Sequence, residues 1–443
     1  MNYSEFLSTY FSNLDLFLPC GIVCIVLCFY SVRKISISGI LDPIHFYWTY
    51  TFGTTYSIIL GLYYLNFIDG YIALVVALSG LTLIFSLFVG RKFNINFINV
   101  FLRLVNSKNN SHSIYILSVA LLFLLYSIII YNVGLNISSD VNRFEQNKGI
   151  GPLVRAADAL RLFVFAYSYV YIRNIKSTKK RYISYIILSF AILISSLSNG
   201  AKFALLEVLY SIFLCYVIYT GKKLKITLYR FFSIFFGFLL VFAFAILVIS
   251  LSMKNDKNIH PQYLPQSTPL AIEKIFLRTL SNGDQAYLGL PNNIIDKIEE
   301  GNFFDITLSA LIGKNLYRKL FNYNETLNLD NVGQKILKYH FPSFSQAGGP
   351  VSHFDLYFYH YLPIGLNFLA IIFIGLLLSS IANCRYLAKD NLFLASVVTT
   401  LWMKGLVMVL EPAMGLAYLI DFFTVIITIK ILASLFSRGK NSI

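Results

Sequence analysis

Along most of the chain, apolar residues run in blocks long enough to cross a bilayer, and polar residues are confined to the gaps between blocks. A hydrocarbon core of about 30 Å takes roughly 20 helical residues. Runs of that order stand at 16–32, 43–65, 70–90, 113–134, 152–172, 183–199, 201–219, 231–252, 356–382, 392–410 and 414–436. The pattern predicts an all-α polytopic membrane protein of about eleven transmembrane helices, a single membrane domain over 1–443. One stretch breaks the rhythm: residues 253–355 form a large polar loop inserted between the eighth and ninth spans.

The inserted loop itself reads as folded and helical. Thr268-Pro269 is a cap followed by a good first helical residue, and Ser281-Asn282-Gly283 supplies the stop, giving a short helix that carries Arg278. A second helix is expected from Pro291 to Gly301 and a third from Asp305 to about Phe321. The third sets Ile306, Leu308, Leu311, Ile312, Leu316 and Leu320 among Lys314, Arg318 and Lys319, which fits either a membrane surface or packing on other loop helices. Gly348-Gly349-Pro350 is a turn that no helix continues through. Beyond it, Val351–Tyr361 reads as an aromatic helix entering the bilayer.

Composition agrees with the pattern, since 57% of the 443 residues are hydrophobic and 13% charged, where a soluble domain carries about a quarter charged. The net charge of +15 raises the question of nucleic acid, and its distribution answers against it. Ten Lys and Arg balance ten Asp and Glu within 253–355. The excess sits in alternate short connections, around Arg33/Lys34, Arg91/Lys92/Arg103, Arg173/Lys179/Arg181, Lys222/Lys225/Arg230, Arg385/Lys389 and Arg438/Lys440. By the positive-inside rule those connections are cytoplasmic, the N-terminus and the 253–355 loop are outside, and the C-terminus is inside. The first apolar run lacks a basic n-region and reads as a span, not a cleavable signal peptide. No internal repeat is evident, which counts against a secondary transporter.

No cysteine falls in the outer loop, which excludes a disulfide framework there. Cys20, Cys24 and Cys28 share one helical face. With no His, Met or acid beside them they read as small packing residues rather than a soft-metal site.

Candidate chemistry gathers near the outer surface. His353 and His360 lie seven apart, on one face if helical, with Asp355 beside the first. Interfacial hydrogen bonding is the plain reading, and proton transfer near neutral pH the functional one. About 10 Å of helix separates the histidines, too far to share a metal ion. Charges inside spans are costly and therefore functional suspects. Arg155, Asp158 and Arg161 stand within the first two turns or so of the fifth span, Lys202 follows Ser198-Asn199-Gly200-Ala201, and Glu207 lies just deeper. With Arg278 these build a cationic pocket suited to a phosphate or diphosphate, against a plain reading of headgroup anchoring or mutual pairing. Lys404 and Asp421 fall at matching depth, where they are expected to pair with each other, structurally or along a proton or ion path.

The loop closing with Gly348-Gly349, Ser352 and His353, the aromatic helix into Pro363-Ile364-Gly365, and the short turn Ser198–Lys202 together resemble the Wzy-type O-antigen and capsule repeat-unit polymerases and the related O-antigen ligases. The resemblance covers the whole topology through loose motifs. It implies a bacterial inner-membrane enzyme whose large loop is periplasmic, joining undecaprenyl-diphosphate-linked glycans as donor and acceptor, alongside a chain-length regulator and membrane lipid as partners. It implies Arg155, Arg161, Lys202 and Arg278 on the diphosphate and a base among His353, His360 and Asp355, with no cofactor, metal or nucleotide sugar. Where the ligases carry a polar or acidic residue soon after the loop histidine, this chain has Asp355 and then mostly aromatics, so the base stays open among the three. An O-antigen ligase and a lipid-linked oligosaccharide flippase or transporter are the alternatives.

Overall fold

The computed structural model describes residues 1–106, 110–133, 150–199, 204–222, 269–322, 327–344 and 349–440, with isolated helical positions between 232 and 246. The span expected at 231–252 is therefore, apart from those positions, outside the described residues, as is Lys202. The α-helices are α1 Tyr3–Ser12, α2 Leu14–Val32, α3 Gly53–Tyr64, α4 Gly70–Lys92, α5 Ile98–Val105, α6 Ser111–Val133, α7 Gly151–Arg173, α8 Thr178–Asn199 and α9 Ala204–Thr220. In the large loop follow α10 Leu270–Leu280, α11 Asp284–Gly289, α12 Phe303–Ile312, α13 Lys314–Leu320, α14 Val332–His340 and α15 Phe354–Tyr361. The chain closes with α16 Ile364–Asn383, α17 Leu392–Gly405 and α18 Pro412–Lys440. The described residues contain no strand. Among the described residues six segments, Leu14–Val32, Gly70–Lys92, Ser111–Asn132, Ile364–Ala388, Leu392–Leu410 and Pro412–Leu435, are long and apolar enough to cross a membrane.

Two helix groups share α17. In the first, α2 packs on α3, with Gly53 and Gly61 admitting Ile25 and Phe17 at close range. Cys20, Cys24 and Cys28 lie on the buried side of α2. Helices α4 and α16 meet through small residues in matched register: a Cβ added at Gly90 would overlap Ser379 Oγ, and one at Gly375 would overlap Ser86 Oγ. Such small-x-x-x-small faces let helices approach where lipid offers no hydrophobic drive for association. In the second group α7 is central, touching α6, α8, α9, α17 and α18.

A buried carboxylate ties the groups together. Asp42 accepts from the backbone N–H groups of Ile37, Ser38 and Ile44 at 2.6, 2.9 and 3.0 Å and from the Trp402 indole at 2.9 Å. Between Asp42 and α3 the chain winds as a π-helix, His45–Phe52, a geometry rare in proteins and frequent at functional sites.

Several expected boundaries move. The predicted helix from Asp305 to Phe321 is broken at Gly313, whose φ of 93° lies where glycine is at ease. The helix expected at Pro291–Gly301 is a short 3₁₀ segment, Pro291–Asp296, interrupted at Asn292 and Asn293, both at positive φ. The ninth span does not begin within 356–361: Pro363 removes a donor and pushes Leu362 to an extended φ/ψ of −128°/142°, so α15 ends and α16 starts afresh. His353 caps α15 from outside it, so the two histidines do not share a helical face.

Candidate functional site

Because α7 is wrapped by neighbours, its charged residues are inside protein: Arg155 and Asp158 are buried and Arg161 is 0% exposed. Arg155 Nε donates to Asp421 at 2.7 Å and Nη2 to the Leu311 carbonyl of α12 at 2.6 Å. Arg161 Nη2 donates to Glu207 at 3.0 Å and lies 3.6 Å from Asp158. Lys404 Nζ reaches both Glu207 oxygens at 3.4 Å and stands 4.5 Å over the Tyr418 ring. The Tyr418 hydroxyl donates to Asp158 at 3.4 Å. Two linked sets result on the same helices: Arg161 and Lys404 share Glu207 with Asp158 and Tyr418 beside them, and Arg155 pairs with Asp421.

The network corrects two expectations. Lys404 and Asp421 do not pair: the first turn of α9 places Glu207 between Lys404 and Arg161, while Asp421 points at Arg155. The cations are not pooled in an open basic pocket either, because each has a carboxylate partner, as charges removed from water require. The Tyr126 hydroxyl also lies against the Arg161 guanidinium, whose Nε and Nη1 make no well-formed hydrogen bond among the described residues. Arg278 is exposed on α10, which packs on α3, and its charge acts on Asp284.

A second cluster forms at the turn leading into α15. The Ser352 hydroxyl accepts from the Gly333 N–H at 3.0 Å, and the His353 N–H donates to Gln285 Oε1 at 2.7 Å. These bonds fix the turn before α15. The His353 ring packs 4.7 Å from Phe52 and is 2% exposed. Its Nδ1 and Gln285 Nε2 have no partner among the described residues. Burial drives the His353 pKa down to about 3. Asp355 is equally buried, held by the Leu356 N–H at 2.8 Å and the Tyr56 hydroxyl at 3.4 Å. Burial outweighs those bonds and pushes its carboxyl up to about 7. Glu411, at the turn into α18, accepts from Asn331 at 3.2 Å and from the Ser352 N–H, and burial lifts it to about 7 as well. His360 lies near the far end of α15 with Nδ1 3.2 Å from the Ile295 carbonyl.

The two clusters flank the π-helix. Tyr47, from its first turn, lies near Glu207, and Phe52, its last residue, contacts His353. Sequence reasoning missed the π-helix, Gln285, Tyr56 and Tyr418. One tyrosine among 31 carries no mark in sequence that it will meet a buried carboxylate. Among the described residues no group of three or more His, Cys, Asp or Glu is placed to hold a metal ion.

Comparison of the chain with protein-family models, with curated proteins and with solved structures finds no match.

Proposed function

We propose that this membrane protein polymerises lipid-diphosphate-linked oligosaccharide repeat units at the outer face of a bacterial inner membrane, crossing it about eleven times with the 253–355 loop in the periplasm. The observation that carries the reading is Arg161, a fully buried guanidinium that faces Glu207, Asp158 and the Tyr126 hydroxyl and keeps N–H groups beyond those its carboxylate partners take. A diphosphate offers acceptor oxygens to those N–H groups. Arg155, on the same helix as Arg161, is held by the Leu311 carbonyl of α12 in the large loop.

In the proposed reaction a hydroxyl oxygen of the acceptor repeat unit attacks the anomeric carbon of the growing glycan. The bond from that carbon to the diphosphate oxygen breaks, and undecaprenyl diphosphate leaves with the electron pair, stabilised by Arg161 with Lys404 nearby. The acceptor proton passes to a base. Of His353, His360 and Asp355, Asp355 is the best matched, since a carboxyl near 7 accepts a proton at neutral pH whereas an imidazole near 3 holds one poorly. Asp355 and Arg161 are 1% and 0% exposed, so substrate reaches either only after the packing around it opens.

The test is reconstitution in nanodiscs with an undecaprenyl-diphosphate-linked repeat unit. Longer lipid-linked glycans and free undecaprenyl diphosphate are expected in equal molar steps. The rate should rise with pH through about 7, as Asp355 ionises, and Asp355→Asn should abolish it. Wild-type protein that yields no elongated product from its native repeat unit refutes the reading. The nearest alternative, ligation of glycan to another acceptor, would release undecaprenyl diphosphate only when that acceptor is added.

A further inference from the structure

At the other end of α15 from His353, a cavity of about 290 Å³ opens between the loop and the first turns of α4 and α16. That volume is at the small end of the roughly 300–1,000 Å³ usual for small-molecule sites. The His360 ring lies against two backbone carbonyls, Nδ1 3.2 Å from that of Ile295 and the Glu299 carbonyl also beside it. Asn367, 0% exposed, lines the same cavity with both ends of its amide unpartnered among the described residues. The exposed carboxylates of Asp296, bonded to the Tyr359 hydroxyl, and of Glu300 stand at the mouth, and the Tyr71 and Tyr359 rings supply flat apolar walls.

We propose that this cavity is a sugar-binding subsite that holds one ring of a glycan at the membrane surface. The buried Asn367 amide calls for a donor at its oxygen and an acceptor at its nitrogen, and the carboxylates at the mouth accept further hydrogen bonds. A sugar ring meets that demand, because each hydroxyl donates and accepts while the C–H faces lie on aromatic rings. Buried polar groups without partners cost about 1–3 kcal/mol each, so a ligand that satisfies them is favoured over an empty site. The demand of the buried Asn367 amide for both a donor and an acceptor stands by itself; naming the ligand a glycan rests on the proposed polymerase reading. An ammonium headgroup such as ethanolamine is the competing donor, and the experiment separates the two.

The measurement is saturation-transfer NMR on the full-length protein in phosphatidylcholine nanodiscs, with the methyl glycosides of glucose, galactose, mannose and N-acetylglucosamine as probes. Transfer to at least one glycoside is expected. It should fall roughly fivefold or more, the loss of about one hydrogen bond, in Asn367→Leu and in the surface variant Asp296→Ala, which keeps the test valid if the first variant does not fold. Transfer to none of the four probes, or equal transfer in wild type and Asp296→Ala, overturns the proposal. So does loss of all transfer when phosphatidylethanolamine replaces phosphatidylcholine, which would assign the cavity to a lipid headgroup. Binding is read without turnover, so a failed polymerase assay with intact sugar binding, or the reverse, tells the two proposals apart.

Discussion

Arg161 and Glu207, 46 residues apart in sequence, meet at 3.0 Å in the interior of the helix bundle, and the same carboxylate reaches Lys404 at 3.4 Å. Glu207 is therefore the shared counter-charge of two cations from different helices. Glu207→Gln leaves both short of charge in a place that water does not screen. Breaking a buried pair from one side costs about 3–5 kcal/mol, so the variant should show a markedly lower melting temperature in detergent. The charge-matched double variant Glu207→Gln/Lys404→Met should recover part of that loss. Thermal unfolding of the three proteins checks it, and a double variant less stable than the single would contradict the network.

The α4–α16 contact makes a steric prediction. Ser86 and Gly375 interlock closely enough that a Cβ at Gly375 overlaps the Ser86 hydroxyl. Gly375→Val should separate the helices and destabilise the fold by about 1–3 kcal/mol or more, as overpacking does. Gly375→Ala combined with Ser86→Ala, which removes the overlapping oxygen, should be tolerated far better. Expression level and melting temperature in a common detergent distinguish the two outcomes.

Acid should act on the fold through His353. Its folded pKa near 3 lies below the ordinary 6.5, so between those values the unfolded chain binds the extra proton and stability falls as pH falls. Asp355 and Glu411, raised to about 7, act in the opposite direction, losing stability as pH rises from about 4 to 7. The clean readout is thus a difference. Melting temperatures of wild type and His353→Phe, measured from pH 7 to 4, should converge or cross in favour of the variant as pH drops. Parallel curves would mean that His353 is not buried as a neutral ring.

The membrane class was legible because apolar run length and charge placement are local properties of the chain. Breaks set by a single residue were partly legible: Gly348-Gly349-Pro350 read as a turn, whereas Gly313 and Pro363 sat inside apolar runs whose periodicity continued across them. Partner choice was not legible. Depth alone matched Lys404 with Asp421, but which carboxylate a buried lysine meets depends on helix rotation and on Glu207 entering from a third helix. Asp42, bonded to the Trp402 indole across 360 positions, gave no signal because its other close donors are backbone amides that any sequence possesses. Burial, which separates the proton affinities of His353 and Asp355, follows from Phe52, Gln285 and Tyr56, all more than 60 residues away.

The most direct test of the account is the size distribution of surface glycan in a deletion strain complemented with wild type, Arg161→Gln or Asp355→Asn, each verified as inserted in the membrane. With wild type, a full polymer ladder is expected; with the deletion and both variants, glycan capped by a single repeat unit. A full ladder in the variants, or a deletion strain with no surface glycan at all, would contradict the proposal that this chain joins lipid-linked repeat units at the Arg161 and Asp355 sites.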